Sequence, residues 1–168
     1  MKAVLKASAV SGVVMGLGDA VRQGIQQRKA EKFELDVASV SRFSLIGATF
    51  HGPYFLFAFK QVDRYCPPMR SQLGTAMAKT FLTQISVYPI FLTGFMVYLG
   101  VLEGLKIGEI YEKKKAAWLE TFMYGFLFWP PANVVNFSLI PTTSRAYYVA
   151  GMGTVWNTIV SWVNDKSQ

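Results

Sequence analysis

The sequence is poor in the residues that most site chemistry needs. It contains one cysteine, Cys66, and one histidine, His51. A lone cysteine cannot close a disulfide within the chain, and one histidine with one cysteine does not make a metal site of a standard type. The simplest interpretation of Cys66 is a bystander thiol beside a Pro-Pro turn. The alternative is a redox-sensitive thiol or an intermolecular crosslink.

Motifs for catalysis are also missing. No serine or cysteine stands with a histidine and an acid in a recognisable arrangement, and no glycine-rich phosphate loop follows a strand. The sequence therefore predicts a protein that is not an enzyme and that holds no cofactor and no metal.

Charged residues are scarce, at 16% of the 168 residues, whereas a soluble domain has about 25%. Hydrophobic residues make up 52%, and 17 basic against 10 acidic residues give a net charge of +7. The basic residues flank apolar stretches and form no separate patch, which fits anionic lipid headgroups better than nucleic acid. We therefore predict an integral membrane protein whose partners include the lipid bilayer and exclude nucleic acid.

Five apolar stretches are long enough to cross a bilayer as helices, for which about 20 residues suffice. The clearest, residues 80–102, has no charge, whereas the others contain polar or helix-breaking residues. These others are residues 3–21, 43–59, 121–140 and 146–163. The predicted fold is all-α, an integral membrane helical bundle of four or five spans in a single multi-pass domain, residues 1–168.

Small residues recur every four positions in four of these stretches, which places them on one helix face and lets helix backbones approach closely. The series predict a compact bundle of crossing helices. They are Ser8-Gly12-Gly16-Ala20, Ser44-Ala48-Gly52, Gly100-Gly104-Gly108 and Gly153-Asn157-Ser161.

Polar connectors are predicted between the spans. They cover residues 22–42, 60–79 and 103–118, and the last is predicted to form a charged helix along the membrane surface. Lys79, at the start of the longest span, is predicted to snorkel to the interface. The basic residues divide almost evenly between the two sides of a five-span arrangement, so they do not fix the orientation.

The final third of the chain combines polar and helix-breaking residues with an apolar background. The Trp129-Pro130-Pro131 motif predicts a broken or kinked helix, because proline removes a backbone donor and crowds the preceding turn. A break of this kind needs donors nearby, and Asn133, Asn136 and Arg145 are the candidates. Such residues remain in hydrocarbon only where neighbouring helices or a water-filled path satisfy them.

These residues resemble a known family, the Mpv-seventeen / twenty-two-kilodalton peroxisomal membrane protein family. The strongest match is Trp129-Pro130-Pro131-x-Asn133-x-x-Asn136-Phe137-x-x-x-Pro141-x-x-x-Arg145, followed by Trp156-Asn157 and Ser161-Trp162. Earlier matches come in the same order: Gly16-Leu17-Gly18-Asp19 with Gln23, then Arg42-Phe43, Gly47, Gly52-Pro53, Asp63-Arg64, Lys79, Gln84 and Pro89. The resemblance covers nearly the whole chain.

The resemblance implies a small multi-pass protein of the mitochondrial inner membrane or, as the alternative, of the peroxisomal membrane. Some members of the family behave as pores for small solutes. Three positions depart from the family pattern: Phe126 replaces a tryptophan, Asn133 a glutamine, and Thr83 the aspartate before Gln84. These departures weaken the inference of selectivity and organelle from the family. The resemblance still implies the family's fold and its location in a membrane.

Asp19 is the only acid well inside an apolar stretch, and Arg22 and Gln23 share its helix face. The three residues either lock the bundle as an ionic cluster or line a pore. Asn133, Asn136 and Asn157 either hydrogen-bond between helices or offer carbonyl dipoles to a permeating ion. His51 either satisfies a neighbour or titrates near neutral pH and gates a pore.

Two functions from different classes are consistent with these residues. The first is a passive channel for small solutes that contributes to organelle membrane homeostasis, with its path lined by some of Asp19, Arg22, Gln23, Asn133, Asn136 and Arg145. The second is a non-catalytic structural or assembly subunit of a larger mitochondrial inner-membrane complex. A homo-oligomer is a further predicted state. Helix-packing residues and pore-lining residues are of the same chemical kinds, so the sequence does not separate the two functions.

Overall fold

A computed structural model describes residues 2–28 and 32–166, except for the side chains of residues 113, 114, 116 and 158–166. Within these residues every regular element is a helix, which confirms the all-α prediction. Each of the five predicted apolar stretches lies within a long helical stretch. The elements are α1 (Lys2–Gln26), α2 (Val37–Ile46), a first π turn (Gly47–His51), α3 (Gly52–Tyr65), α4 (Gln72–Leu82), a second π turn (Thr83–Val87), α5 (Tyr88–Leu102), α6 (Ile107–Leu139), a 3₁₀ turn (Thr142–Ser144) and α7 (Arg145–Lys166).

Two of the helical stretches are long and apolar enough, by length and composition, to cross a membrane. They are Lys2–Gln26, with 25 residues, and Gln72–Leu102, with 31 residues. Among the described residues no other helical stretch meets this criterion. The total of four or five spans therefore stays a prediction.

The helices extend into segments that the sequence analysis assigned to connectors. α1 continues to Gln26, and α3 and α4 take up most of residues 60–79. The charged helix predicted along the surface is not a separate element, because most of it forms the first part of α6. Lysine and glutamate have high helix propensity, so a fall in hydropathy does not by itself end a helix.

Each π turn ends two residues before a proline, Pro53 or Pro89. In the first turn the Gly52 N–H donates to the Gly47 carbonyl, and in the second the Tyr88 N–H donates to the Thr83 carbonyl. A proline ring crowds the turn before it and provides no backbone donor. The wider π turn accommodates each ring, and the helical assignment continues past both prolines.

The predicted break or kink at Trp129-Pro130-Pro131 is not confirmed, because α6 is helical from Ile107 to Leu139 with both prolines inside it. Two adjacent prolines deprive only the carbonyls of Phe126 and Leu127 of their helical donors, and the bonds on either side remain. The helix ends instead at Ile140, whose extended backbone (φ −97°, ψ 126°) is the conformation favoured before a proline, here Pro141.

The described residues group into two compact units, Met1–Pro53 with Ala146–Gln168, and Tyr54–Arg145. In the first unit α1 packs on α2 and the first π turn through small residues. A Cβ atom at Gly12 would lie 3.1 Å from the Cβ of Ala48, and one at Gly52 would lie 2.5 Å from the Ala7 carbonyl oxygen. The first two small-residue series therefore meet each other, which is a close helix crossing of the predicted kind. In the last series a Cβ at Gly153 would meet open space, and the side chain of Ser161 lies outside the described residues.

In the second unit α4, the second π turn and α5 pack along α6. Gln72 Nε2 donates to the Ser138 carbonyl at 2.7 Å, and the Tyr88 hydroxyl donates to the Thr121 carbonyl at 3.0 Å. These two bonds show that α6 runs antiparallel to the helical stretch before it. The reversal between them uses Gly104, which closes α5 in the left-handed conformation (φ 79°) that a glycine adopts without strain.

Candidate functional site

Asp19, Arg22 and Gln23 form a hydrogen-bonded cluster in the first unit, on the shared helix face that their spacing predicts. The Asp19 side chain is fully buried. Its Oδ1 accepts from Arg22 Nη2 at 2.6 Å and Nε at 2.9 Å, and its Oδ2 accepts from Gln23 Nε2 at 2.8 Å. Both carboxylate oxygens accept hydrogen bonds from side chains of the same helix, which favours the role of Asp19 as an internal anchor.

Gln23 connects this cluster to the start of α2. Its Nε2 donates to the Asp36 carbonyl at 3.1 Å, and its Oε1 accepts from the Asp36 N–H at 2.7 Å. The Asp36 side chain in turn accepts from the Ser39 N–H at 2.9 Å and caps α2. The sequence-predicted group on α1 therefore holds the chain at the point where the next helix begins.

The substitution Asp19→Asn is expected to lower the free energy of unfolding by about 1–3 kcal/mol, because the amide leaves the Arg22 guanidinium without its counter-charge. Thermal unfolding of the purified protein in detergent measures the effect. The matched control is Glu34→Gln, whose carboxylate is exposed and meets Lys32 only at 3.7 Å. Equal midpoints for Asp19→Asn and Glu34→Gln would contradict the anchoring role.

His51 is buried in the first π turn, where its Nδ1 lies 3.3 Å from the Ser11 hydroxyl of α1. This contact is the neighbour-satisfying arrangement that the sequence analysis weighed against gating. Gating by His51 stays a prediction.

An ionic cluster that the sequence analysis missed joins α3 and α4 to Arg145, the last residue of the second unit. Asp63 Oδ1 accepts from Lys79 Nζ at 2.6 Å, and both carboxylate oxygens lie 2.8 Å from Arg145 Nη1. The side chains of Lys79 and Arg145 are each 9% exposed, and that of Asp63 is 26% exposed. Asp63 is therefore the shared counter-charge of two nearly buried cations.

This ionic cluster corrects two predictions. Lys79 does not snorkel to an interface, since its ammonium group is held inside the unit by Asp63. Arg145 does not supply donors to the Pro130-Pro131 turn, because its Nε donates to the Ile140 carbonyl at 3.2 Å and its Nη1 to Asp63. Lys79 and Arg145 both pair with the Asp63 carboxylate, and this pairing inside the protein replaces hydration of the two cations.

Asp63 lies outside the predicted span of residues 43–59, and its pKa is lowered. Burial is the largest single effect and raises the pKa, but hydrogen bonds from Lys79 and Arg145, together with their positive charges, outweigh it. Because the folded-state pKa is the lower one, Asp63 stabilises the fold above its unfolded-state pKa, and this contribution is lost as the pH falls through the folded-state value.

We therefore expect the wild-type thermal midpoint to exceed that of Asp63→Asn at neutral pH, and the difference to shrink as the pH falls below about 4, near the carboxyl pKa of an unfolded chain. Thermal unfolding of both proteins in detergent across the pH range measures this. A difference that stays constant down to acid pH would contradict a charge-based role for Asp63.

The predicted asparagines occupy different surroundings. Asn133 and Asn136 are both buried on α6, whereas Asn157 on α7 is half-buried. The amide nitrogen and oxygen of Asn136 have no hydrogen-bond partner in the described part of the chain, so Asn136 does not act as the predicted donor to the proline turn. The Gln84 amide and the Thr80 hydroxyl, on the helical stretch that packs along α6, also have no hydrogen-bond partner in the described part of the chain.

The contacts among the polar residues of the second unit could not be predicted from sequence spacing. Asp63 and Arg145 are 82 positions apart, and nothing in the spacing pairs them. Gln84 was noted only as a matching residue of the family pattern, without a predicted partner. The one available signal was the presence of uncharged polar residues on both sides of Lys79 in an otherwise apolar stretch.

Among the described residues no group of three or more His, Cys, Asp or Glu side chains is placed to hold a metal ion. The predictions that the protein is not an enzyme and holds no cofactor stay predictions.

The amino-acid sequence is similar to those of a family of known proteins. The profile described as "Mpv17 / PMP22 family" matches residues 100–161. The chain is 31% identical over 157 residues to "Mitochondrial inner membrane protein Mpv17" of Xenopus laevis, which covers 94% of this chain and 87% of that protein. It is 29% identical over 156 residues to the Homo sapiens protein of the same name, covering 90% of this chain and 85% of that protein.

A third relative carries a different name. The chain is 27% identical over 159 residues to "PXMP2/4 family protein 4" of Dictyostelium discoideum, which covers 95% of this chain and 85% of that protein. No solved structure matches the chain. The names of the first two relatives bear out the predicted mitochondrial inner membrane location, and the third fits the peroxisomal alternative.

Proposed function

The chain belongs to the Mpv17 / PMP22 family of membrane proteins, and on this premise we propose that it is a passive pore for small solutes in the mitochondrial inner membrane. Such a pore would contribute to the homeostasis of the organelle. Its selectivity would be set by the width of the path and by the groups that line it.

The observation that supports a pore is the distribution of side chains around α4 and the second π turn. Large apolar side chains point outward at four-residue intervals, and each is more than half exposed. They are Leu73, Met77, Phe81 and Ile85. The inward face of the same stretch carries Thr80 and Gln84, which are buried. An apolar exterior with a polar interior is the arrangement of a helix that stands between lipid and a polar path.

Solute entry into liposomes tests the pore. Liposomes that contain the purified, folded protein are expected to swell in small solutes faster than protein-free liposomes of the same lipid, and to exclude solutes above a size limit. Light scattering after mixing gives the rate. Swelling no faster than in protein-free liposomes would contradict the proposal.

Asp19→Asn belongs in the same assay, because the sequence analysis also placed Asp19 among the candidate lining residues. The pairing of Asp19 with Arg22 and Gln23 supports the anchoring role. We therefore expect liposomes with folded Asp19→Asn protein to swell at the wild-type rate and with the same size limit. A changed rate or size limit would return Asp19 to the lining of the path.

The alternative function is a non-catalytic structural or assembly subunit of a larger mitochondrial inner-membrane complex. Both Gly108 and Gly153 belong to small-residue series, and among the described residues nothing lies within 4 Å of a Cβ placed at either position, which favours this alternative. Native electrophoresis of the membrane extract in mild detergent tests this alternative. A lone small species would count against it, and a simple multiple of the chain mass would indicate a homo-oligomer.

A further inference from the structure

The N-terminal half of α6 contains charged residues, although it packs along α5, which contains none. A Cβ atom at Gly100 would lie 2.6 Å from Ile110 Cγ1, near the turn that joins the two helices. At the other end of α5 the Tyr88 hydroxyl donates to the Thr121 carbonyl at 3.0 Å. Because the helices are antiparallel, each residue forward on α6 corresponds to about one residue back on α5. Charged residues of α6 therefore stand at the same depth as apolar residues of α5.

Glu120 is the charged residue of α6 that lies furthest from this turn. The register places it level with residues 89 and 90 of the facing stretch. That stretch, Gln72–Leu102, has 31 residues, and about 20 suffice to cross the hydrocarbon. Every segment of that length within the stretch includes residues 83–91. When the stretch crosses the membrane, Glu120 therefore lies at the depth of the hydrocarbon wherever the bilayer is placed along it.

The Glu120 side chain is exposed, and its carboxylate has no ion pair or hydrogen bond in the described part of the chain. The same face of α6 continues with Met123, Tyr124 and Leu127, which are 60%, 49% and 77% exposed, and with the exposed Pro131. Since about 3.6 residues make one turn, Leu127 lies almost two turns beyond Glu120 on this face. We call these five residues the outer face of α6.

Leu127 adds a second polar group to the outer face of α6. Its backbone carbonyl lacks the usual helical donor, because the residue four positions further on is Pro131. A carbonyl without a donor and a carboxylate without a counter-charge are both unfavourable against hydrocarbon chains. In membrane proteins such groups face the interior of a bundle or a water-filled cavity. The outer face of α6 is therefore unsuited to contact with lipid.

We propose that the outer face of α6 lines the water-filled path of the pore and that Glu120 attracts cations into this path. The carboxylate and the carbonyl oxygen only accept hydrogen bonds, so they favour a cation and its hydration water over an anion. This rests on the proposed function for permeation, whereas the presence of water on the outer face can be tested without any flux.

The outer face of α6 is open in a single chain, so the path needs an opposite wall. Further copies of the chain form that wall, because a closed ring of identical chains brings the same face of each copy to one axis. Native electrophoresis in mild detergent is therefore expected to show a simple multiple of the chain mass. A lone single-chain species would overturn this placement of the path.

The first test compares two exposed positions at nearly the same depth, Leu127→Cys and Phe81→Cys, each in a Cys66→Ser background. Both are treated in leaky proteoliposomes with methanethiosulfonate reagents that carry either a trimethylammonium or a sulfonate group. Phe81, on the apolar face of α4, is 66% exposed and is the lipid-facing control. Met69→Cys, in the loop before α4, gives the rate of each reagent in water. A thiol reacts as its thiolate, which needs a polar surrounding.

Leu127→Cys is expected to react with the cationic reagent at least about tenfold faster than Phe81→Cys, because a charged reagent avoids hydrocarbon. Folding of each variant is checked by size-exclusion elution and thermal midpoint. Reaction of folded Leu127→Cys as slow as that of Phe81→Cys would overturn the water-filled path at this face. If Leu127→Cys does not fold, Met123→Cys replaces it, with Ile85→Cys as the exposed lipid-facing control at its depth.

The same labelling isolates the contribution of Glu120. Adding Glu120→Gln to Leu127→Cys is expected to lower the ratio of the cationic to the anionic labelling rate several-fold, whereas adding Glu120→Asp is expected to retain the ratio. A ratio that Glu120→Gln leaves unchanged would overturn the role of Glu120.

The second test measures ion preference in planar bilayers with a potassium chloride gradient. The reversal potential of the wild type is expected to show a higher permeability for potassium than for chloride. Glu120→Gln is expected to lower this permeability ratio, and Glu34→Gln, an exposed acid of the first unit, is expected to leave it unchanged. Equal ratios in wild type and Glu120→Gln would overturn the cation role and keep the pore. If the wild type does not conduct, the pore itself fails, and the labelling then decides whether the outer face is in contact with water.

Discussion

Asp63→Asn is expected to destabilise the protein by about 3 kcal/mol, the low end of the range for breaking a buried ion pair, because Asp63 retains 26% exposure. The loss leaves the Lys79 and Arg145 cations, which are each 9% exposed, facing each other without a counter-charge. For a chain of this length the thermal midpoint would fall by roughly 6–12 °C. Thermal unfolding in detergent, followed by tryptophan fluorescence, measures the shift.

Two further variants isolate the cause of the Asp63 effect. Glu112→Gln breaks an exposed pair with Lys115 in the same unit and should leave the midpoint unchanged. Adding Lys79→Met to Asp63→Asn removes one of the two uncompensated cations and should recover part of the lost stability. A single Asp63→Asn variant as stable as Glu112→Gln would contradict the ionic cluster.

Gly52→Ala is expected to lower the free energy of unfolding by about 1–3 kcal/mol, as overpacking does in a well-packed core. The new Cβ would lie 2.5 Å from the carbonyl oxygen of Ala7, 2.7 Å from its carbonyl carbon and 2.9 Å from the Ser8 nitrogen. All three are backbone atoms of α1, so no side chain can move aside, and α1 must shift. Thermal unfolding measures the loss.

The matched control for this substitution is Gly24→Ala on the same α1 helix. A Cβ there would meet nothing within 4 Å, and the gain in helix propensity should stabilise the protein by up to about 1 kcal/mol. The two glycine substitutions are therefore expected to act in opposite directions. Equal thermal midpoints for the two variants would show that α1 does not approach Gly52 as closely as these distances require.

The helices and their close packing in the first unit could be predicted from local sequence patterns. Apolar length predicted all five helical stretches, and four-residue spacing predicted close helix crossings, of which the approach of Gly12 to Ala48 is one. The spacing of Asp19, Arg22 and Gln23 likewise predicted a shared helix face. Interactions within a few turns of one helix leave a signal in the sequence, because the helical period fixes which side chains are neighbours.

Features that depend on other elements were missed or predicted wrongly. The predicted break or kink at Pro130-Pro131 is not confirmed, since α6 continues there and ends before Pro141. It gave no sign that π turns would precede Pro53 and Pro89. Whether a proline ends a helix depends on the room around it, and that room is set by packing rather than by the residue itself.

The second unit's candidate site was the least accessible to sequence reasoning. Asn136 was singled out, but as a donor to the proline turn, whereas Thr80 was not considered at all. The surroundings of both residues depend on the antiparallel packing of α6, which is fixed by contacts of Gln72 and Tyr88 with residues far along the chain. A single sequence carries no pattern for such a register.

Single-channel recording of the purified protein in planar bilayers tests the central claim, a passive pore, most directly. A passive pore is expected to give discrete conductance steps that are absent from protein-free bilayers. Their ion preference should be the same in wild type and Asp19→Asn. Electrical silence, together with no solute entry, from protein that elutes as a single species and unfolds cooperatively would contradict the pore and favour the assembly-subunit function.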